Sequence, residues 1–102
     1  MRLLIVIVNY RTASMAVDCL ASLAPEVAAV PGVRVTVVDN ASPDDSAAVL
    51  PQAIADRGWS SWATFVRADR NGGFAFANNL AIRAAMRRTR KFGATPRATG
   101  AI

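Results

Sequence analysis

"LLIVIVNYRT", residues 3–12, decides the architecture of this chain. Leu3 to Val8 is an unbroken apolar run, rich in β-branched residues. A strand with one wet face alternates apolar and polar side chains. A strand without alternation is buried on both faces, as in a parallel sheet covered by helices. The run ends in a polar turn, Asn9-Tyr10-Arg11. A predicted helix follows from Thr12 to Leu23, with Met15, Ala16, Cys19, Leu20 and Leu23 at helical spacing.

The same alternation of elements continues outward. Pro25, Pro31 and Gly32 punctuate the connection to a second predicted strand, Val33 to Asp39. Ser42-Pro43-Asp44-Asp45 predicts a helix start, with Ser42 as N-cap, Pro43 in the first position and Asp45 closing a capping box. Pro51 is expected to break or restart that helix, which ends near Gly58. Trp62 to Arg67 reads as a third strand. Phe74 to about Lys91 reads as a third helix, with Phe76, Leu80 and Ala84 on one stripe and Ala77, Ala81 and Ala85 beside it. Strand, helix, strand, helix, strand, helix predicts an α/β fold: a three-layer, Rossmann-like parallel sheet with right-handed crossovers.

In such sheets ligands bind outside the carboxyl ends of the strands. The unusual polar residues fall there. Asn9-Tyr10-Arg11 follows the first strand, Asp39-Asn40-Ala41-Ser42 the second, and Arg70-Asn71-Gly72-Gly73 the third. Three polar turns on one edge make a candidate site. Gly72 and Gly73 permit positive φ and close backbone approach at a helix start, where free N–H groups favour an anion or a hydroxyl-rich ligand. An ordinary strand-to-helix turn reads equally well from these two residues alone. Asp39 ends its strand where a carboxylate can accept from a nucleobase N–H or a ribose hydroxyl. Asn78 and Asn79 fall one turn into the helix, either behind the pocket or as a solvent-facing patch. Asp44 and Asp45 read as first-turn acids complementing a helix dipole rather than as a metal pair. A nicotinamide-type domain is disfavoured, because no glycine occurs in "VNYRT", where G-x-G-x-x-G belongs.

The chain has 102 residues and 53% hydrophobic content, enough for one domain with a real core. It has no histidine and one cysteine, so no disulfide forms within it. Six apolar residues after Arg2 are too few for a signal-peptide core, and the chain reads as cytoplasmic. Charge is uneven. Residues 1–82 carry six Arg against seven acids, a net of −1, whereas residues 83–102 carry six cations and no acid, a net of +6. The basic end reads as a solvated helix terminus, since only Phe92 is interleaved as an aromatic. Peripheral association with an anionic membrane surface is the other reading, and nucleic acid is not an expected partner.

Taken together, "IVIVNYRT", "CLASL", "VTVVDNASPDDS" and "RNGGFAFANNLAI", in this order and spacing, resemble the family 2 glycosyltransferases of GT-A fold. The "NYRT", "DNAS" and "NGGFAFANN" forms look most like the rhamnosyltransferase-like branch. The resemblance covers residues 3 to about 90. It implies transfer of a sugar from a nucleotide-diphosphate donor, UDP- or dTDP-linked, to a glycan or lipid-linked acceptor. It also implies nucleotide-binding roles for Val8, Asn9, Tyr10, Arg11, Asp39, Asn40, Asn71, Gly72, Gly73 and Asn79. Residues 1–91 would be the nucleotide-sugar-binding half-domain, and residues 92–102 a basic tail or the start of a continuation.

The family pattern further requires an Asp-x-Asp after a fourth strand, holding Mg²⁺ or Mn²⁺, and a later acidic general base. No D-x-D occurs in this sequence, and its last acid is Asp69. "TGAI" lies about where a fourth strand would begin. With three strands in the order 3-2-1, the apolar first strand would be an edge prone to self-association. The expectation is therefore the donor half of a glycosyltransferase, inactive alone, with a non-catalytic nucleotide-binding module or an inactive remnant as alternatives.

Overall fold

The computed structural model describes residues 2–90 and 98–101 of the chain. Its elements are β1 (Leu3–Asn9), α1 (Ala13–Ala29), β2 (Val33–Asp39), α2 (Ser46–Asp56), β3 (Ala63–Arg67), α3 (Phe74–Arg90) and β4 (Ala98–Ala101). The strands form one sheet in the order β3-β2-β1-β4, and every neighbouring pair is parallel. The α/β architecture read from the sequence is the one observed.

The two-faced character of β1 has the expected cause. Ile7, with Val35 and Val37 of β2, packs against Ala16 and Leu20 of α1 and Leu50 and Ile54 of α2. Leu4 and Val6, with Val38, pack on the opposite face against Ala77, Ala81 and Ala85 of α3. Each fully buried aliphatic side chain contributes about 1.5–3 kcal/mol. Alanine at all three contact positions brings α3 close to the sheet. Phe76, Leu80 and Ala84, the other predicted stripe, are only half-buried.

Three expectations change. α1 does not stop at Leu23 but runs through Pro25 to Ala29. A proline inside a helix costs roughly 3 kcal/mol. Here Pro25 sits on the exposed side, while Leu23, Ala24 and Val27 pack on the core and offset that cost. Likewise α2 passes through Pro51 unbroken, because Leu50 and Ile54 on either side of it are buried.

The third change concerns the edge. β1 has a neighbour on each side, since β4 pairs with it at Leu4↔Ala98 and Val6↔Ala101. β4 lies on the side of β1 away from β2 and takes up ladder groups that a three-strand order would leave open. Self-association through a bare β1 edge loses its basis over that stretch. The expectations placed on Lys91, Phe92 and Arg97 lie outside the described residues.

Candidate functional site

The carboxyl ends of β1, β2 and β3 carry two hydrogen-bonded sets. The first begins with Asn9 and Asp39, which are register partners in the sheet. Asn9 Nδ2 donates to Asp39 Oδ1 at 2.9 Å. Asn9 Oδ1 accepts from the Thr12 N–H at 3.2 Å and the Thr12 hydroxyl at 3.0 Å, so it organises the entry to α1. The Ser42 hydroxyl donates to Asp39 Oδ1 at 2.6 Å, and the Ser42 N–H donates to Oδ2 at 3.1 Å. The same hydroxyl accepts from the Arg11 N–H at 2.9 Å. One buried carboxylate thus ties the first polar turn to the second.

This arrangement corrects the role read for Ser42. α2 starts at Ser46 with Asp45 as N-cap, and Asp44 Oδ1 accepts the Ser46 N–H at 3.0 Å. Ser42 is drawn away from the helix because a buried carboxylate is the stronger acceptor. Asp39 also differs from expectation. Its side chain is fully buried, and both oxygens are engaged within the chain, so it braces the turns instead of facing a ligand. Arg11 and Ala41 bend into left-handed conformations, φ 60° and 57°, to bring the two turns into this contact. Such strain costs a non-glycine residue about 1–2 kcal/mol and is commonest at functional sites.

Asn40 links the second turn to the third. Its N–H donates to the Asn9 carbonyl at 2.8 Å. Its Nδ2 donates to Asn71 Oδ1 at 3.0 Å and to the Gly73 carbonyl at 3.4 Å. Asn71 Oδ1 accepts in turn from the Gly73 N–H at 3.1 Å. The Asn40 Oδ1 is buried and has no partner among the described residues. A buried acceptor left bare costs about 1–3 kcal/mol, so a donor brought to it would be favoured. The Ser46 hydroxyl, buried at the start of α2, is in the same state.

The two glycines divide the work. Gly73 has φ +90°, and a Cβ there would meet nothing within 4 Å, so the backbone faces open space. A Cβ on Gly72 would lie 2.5 Å from Cγ of Phe76, so Gly72 is needed for close packing. Gly73→Ala is therefore expected to cost about 1–2 kcal/mol in urea unfolding through backbone strain alone. A loss of a few tenths would show that φ there is not positive in solution.

The structure brings together Asn9, Arg11, Asp39, Asn40, Asn71 and Gly73 from the predicted set. Tyr10 and Gly72 sit exposed beside them, and Val8 lies half-buried toward α3. Asn79 is exposed in the second turn of α3, outside the hydrogen-bonded sets. Thr12 was legible as the residue after the first turn. Its bond to Asn9 was not, because the spacing of two residues does not reveal their side-chain directions. Among the described residues, no group of three or more acidic, histidine or cysteine side chains is placed to hold a metal ion. With Asp39 sealed and Asp44 capping a helix, the residues present do not fit a divalent-cation site.

A separate groove of about 410 Å³ runs along α1 against β1, lined chiefly by Ile7, Val8, Met15, Ala16 and Cys19. It is apolar and lies along the helix, not over the three turns. Burial pushes the Cys19 thiol up, away from the reactive thiolate.

The profile described as Glycosyl transferase family 2 matches residues 4–88, most of the chain and all three turns. The chain belongs to glycosyl transferase family 2. Among solved structures, a mannosyltransferase from Pyrobaculum calidifontis, PcManGT, in complex with GDP-Man and Mn²⁺, superimposes with a TM-score of 0.71 at 24% identity. The match covers 81% of this chain and 24% of that one, so this family 2 glycosyltransferase chain spans about a quarter of its solved relative. The likeness establishes a GT-A-type fold for the matched part. No curated protein matches the sequence.

Proposed function

We propose that this chain is the donor-nucleotide-binding part of an enzyme that moves a sugar from a nucleotide diphosphate to a glycan or lipid-linked acceptor. The bare Asn40 Oδ1, held at the junction of the three turns, carries the reading. An amide oxygen there accepts an N–H from a nucleobase, while Gly73, with open space beside its backbone, leaves room for the nucleoside to approach. Uracil and thymine offer such a donor at N3, which suits the UDP or dTDP donors of the rhamnosyltransferase-like branch. Guanine offers one at N1, and the solved relative carries GDP-Man. The complete enzyme would take its Mg²⁺ or Mn²⁺ on carboxylates that this chain does not supply. Arg83 and Arg87 are exposed on α3, and they suit peripheral association at the inner, cytoplasmic face of a membrane. Nucleotide binding without chemistry is the second reading, favoured by the sealing of Asp39 and the capping role of Asp44.

Calorimetry with UDP, dTDP and GDP tests the proposal. Asn40→Ala is expected to weaken the best of them by about 1 kcal/mol, the net value of one neutral hydrogen bond. Failure of the native chain to bind any of the three overturns it.

A further inference from the structure

We propose that Phe76 and Arg70 form a positioning clamp that holds the Gly72-Gly73 turn in the shape a nucleoside diphosphate requires. The proposal rests on the nucleotide-binding reading above. Two contacts meet on one ring. The ring of Phe76 lies so close to Gly72 that any Cβ there would fall 2.5–2.9 Å from its atoms. The guanidinium carbon of Arg70 stands 4.3 Å from the centroid of the same ring. A single aromatic side chain from the first turn of α3 therefore touches the residue before Asn71 and the residue after it.

Nothing in the core requires that ring. α3 is fastened to the sheet through Ala77, Ala81 and Ala85, and Phe76 belongs to neither hydrophobic cluster. It is half-buried above a turn that needs restraint. Two consecutive glycines are the most mobile backbone a chain can contain. Gly73 has the Asn71 carboxamide on its N–H, and its carbonyl accepts from the Ala77 N–H at the start of α3 and from the Asn40 carboxamide. The ring restricts Gly72 by contact, and the cation over its π face holds Arg70 in place by electrostatic attraction. Restraining the turn before binding lowers the ordering cost that a ligand must otherwise meet. Asn71 lies between the clamped residues, and its Oδ1 also receives Asn40 Nδ2. Holding the turn thus keeps the Asn40 carboxamide oriented as well.

The test compares native chain, Phe76→Ala, Phe76→Tyr and Arg70→Gln. Amide hydrogen exchange at Gly72, Gly73 and Phe74 is measured by NMR without ligand. Binding of UDP, dTDP and GDP is measured by calorimetry. Phe76→Ala is expected to speed exchange at these amides and weaken nucleotide binding, each by about tenfold, with the amides of β1 and β2 unchanged. Phe76→Tyr keeps the ring and is expected to restore both. Arg70→Gln, a change on an exposed side chain, acts in the same direction and keeps the test in force should Phe76→Ala not fold. Unchanged exchange and unchanged affinity in Phe76→Ala and Arg70→Gln overturn the clamp. Faster exchange with unchanged affinity overturns its positioning role. No binding by the native chain overturns the functional reading and the ligand half of this proposal, while the exchange data alone then decide whether the clamp exists.

Discussion

Purified chain incubated with UDP-, dTDP- or GDP-sugars, Mg²⁺ or Mn²⁺, and glycoside or lipid-linked acceptors is expected to release no nucleotide above a heat-killed control. Transfer needs a group to take the proton of the acceptor hydroxyl. A positioned general base typically contributes 10²–10⁴-fold. The chain has no histidine and seven acids. Asp39 is sealed, Asp44 accepts the Ser46 N–H, and Asp45 is the N-cap of α2. Asp56 accepts from Gln52 Nε2 at 2.7 Å at the far end of α2. Asp18 and Glu26 lie on the exposed side of α1. Asp69, exposed just after β3, is the one acid on the binding edge without such a task. Turnover that vanishes in Asp69→Asn would identify that carboxylate as the base and overturn the expectation.

Asp39→Ala is expected to unfold the chain before it affects any ligand directly. The substitution strips acceptors from Asn9 Nδ2, the Ser42 hydroxyl and the Ser42 N–H, all in a buried setting. Each buried donor left bare costs about 1–3 kcal/mol. With partial relaxation the sum is about 2–4 kcal/mol, a large share of the 5–15 kcal/mol that holds a domain together. The melting midpoint should fall by about 10–20 °C. Asp39→Asn keeps the shape but replaces an acceptor by a donor facing Ser42 or Asn9, and should fall between the two. A midpoint unchanged in Asp39→Ala, with nucleotide affinity lost, would restore a direct role in binding.

These two expectations differ in how far the sequence supports them. The shortage of suitable acids was legible residue by residue, because composition alone limits what chemistry is available. The bracing role of Asp39 was not. Asp39 and Asn40 are adjacent and both polar, and the end of a strand is a reasonable place for either to meet a ligand. Asn9 lies 30 residues away from Asp39, and only pairing of the two strands in register places its amide on that carboxylate. Ser42 shows the same limit. Its position before Pro43 fits a helix cap locally, but a buried acceptor three residues back outcompetes the helix.

Periodicity and punctuation were enough for the order of elements, the parallel sheet and the polar edge where three turns meet, since all of these follow from patterns local to a dozen residues. The family was legible only through the resemblance of four motifs in order. Contacts between distant residues settled the rest. The helices ran through Pro25 and Pro51 because burial on both sides of each proline outweighs a lost backbone bond. β1 acquired a second neighbour because β4 pairs with it on the side away from β2. Asp39 has both oxygens filled by Asn9 and Ser42, whereas Asn40 spends its Nδ2 on the third turn and keeps Oδ1 without a partner among the described residues. Which of two neighbours is sealed therefore depends on what the other strands and turns bring to each face.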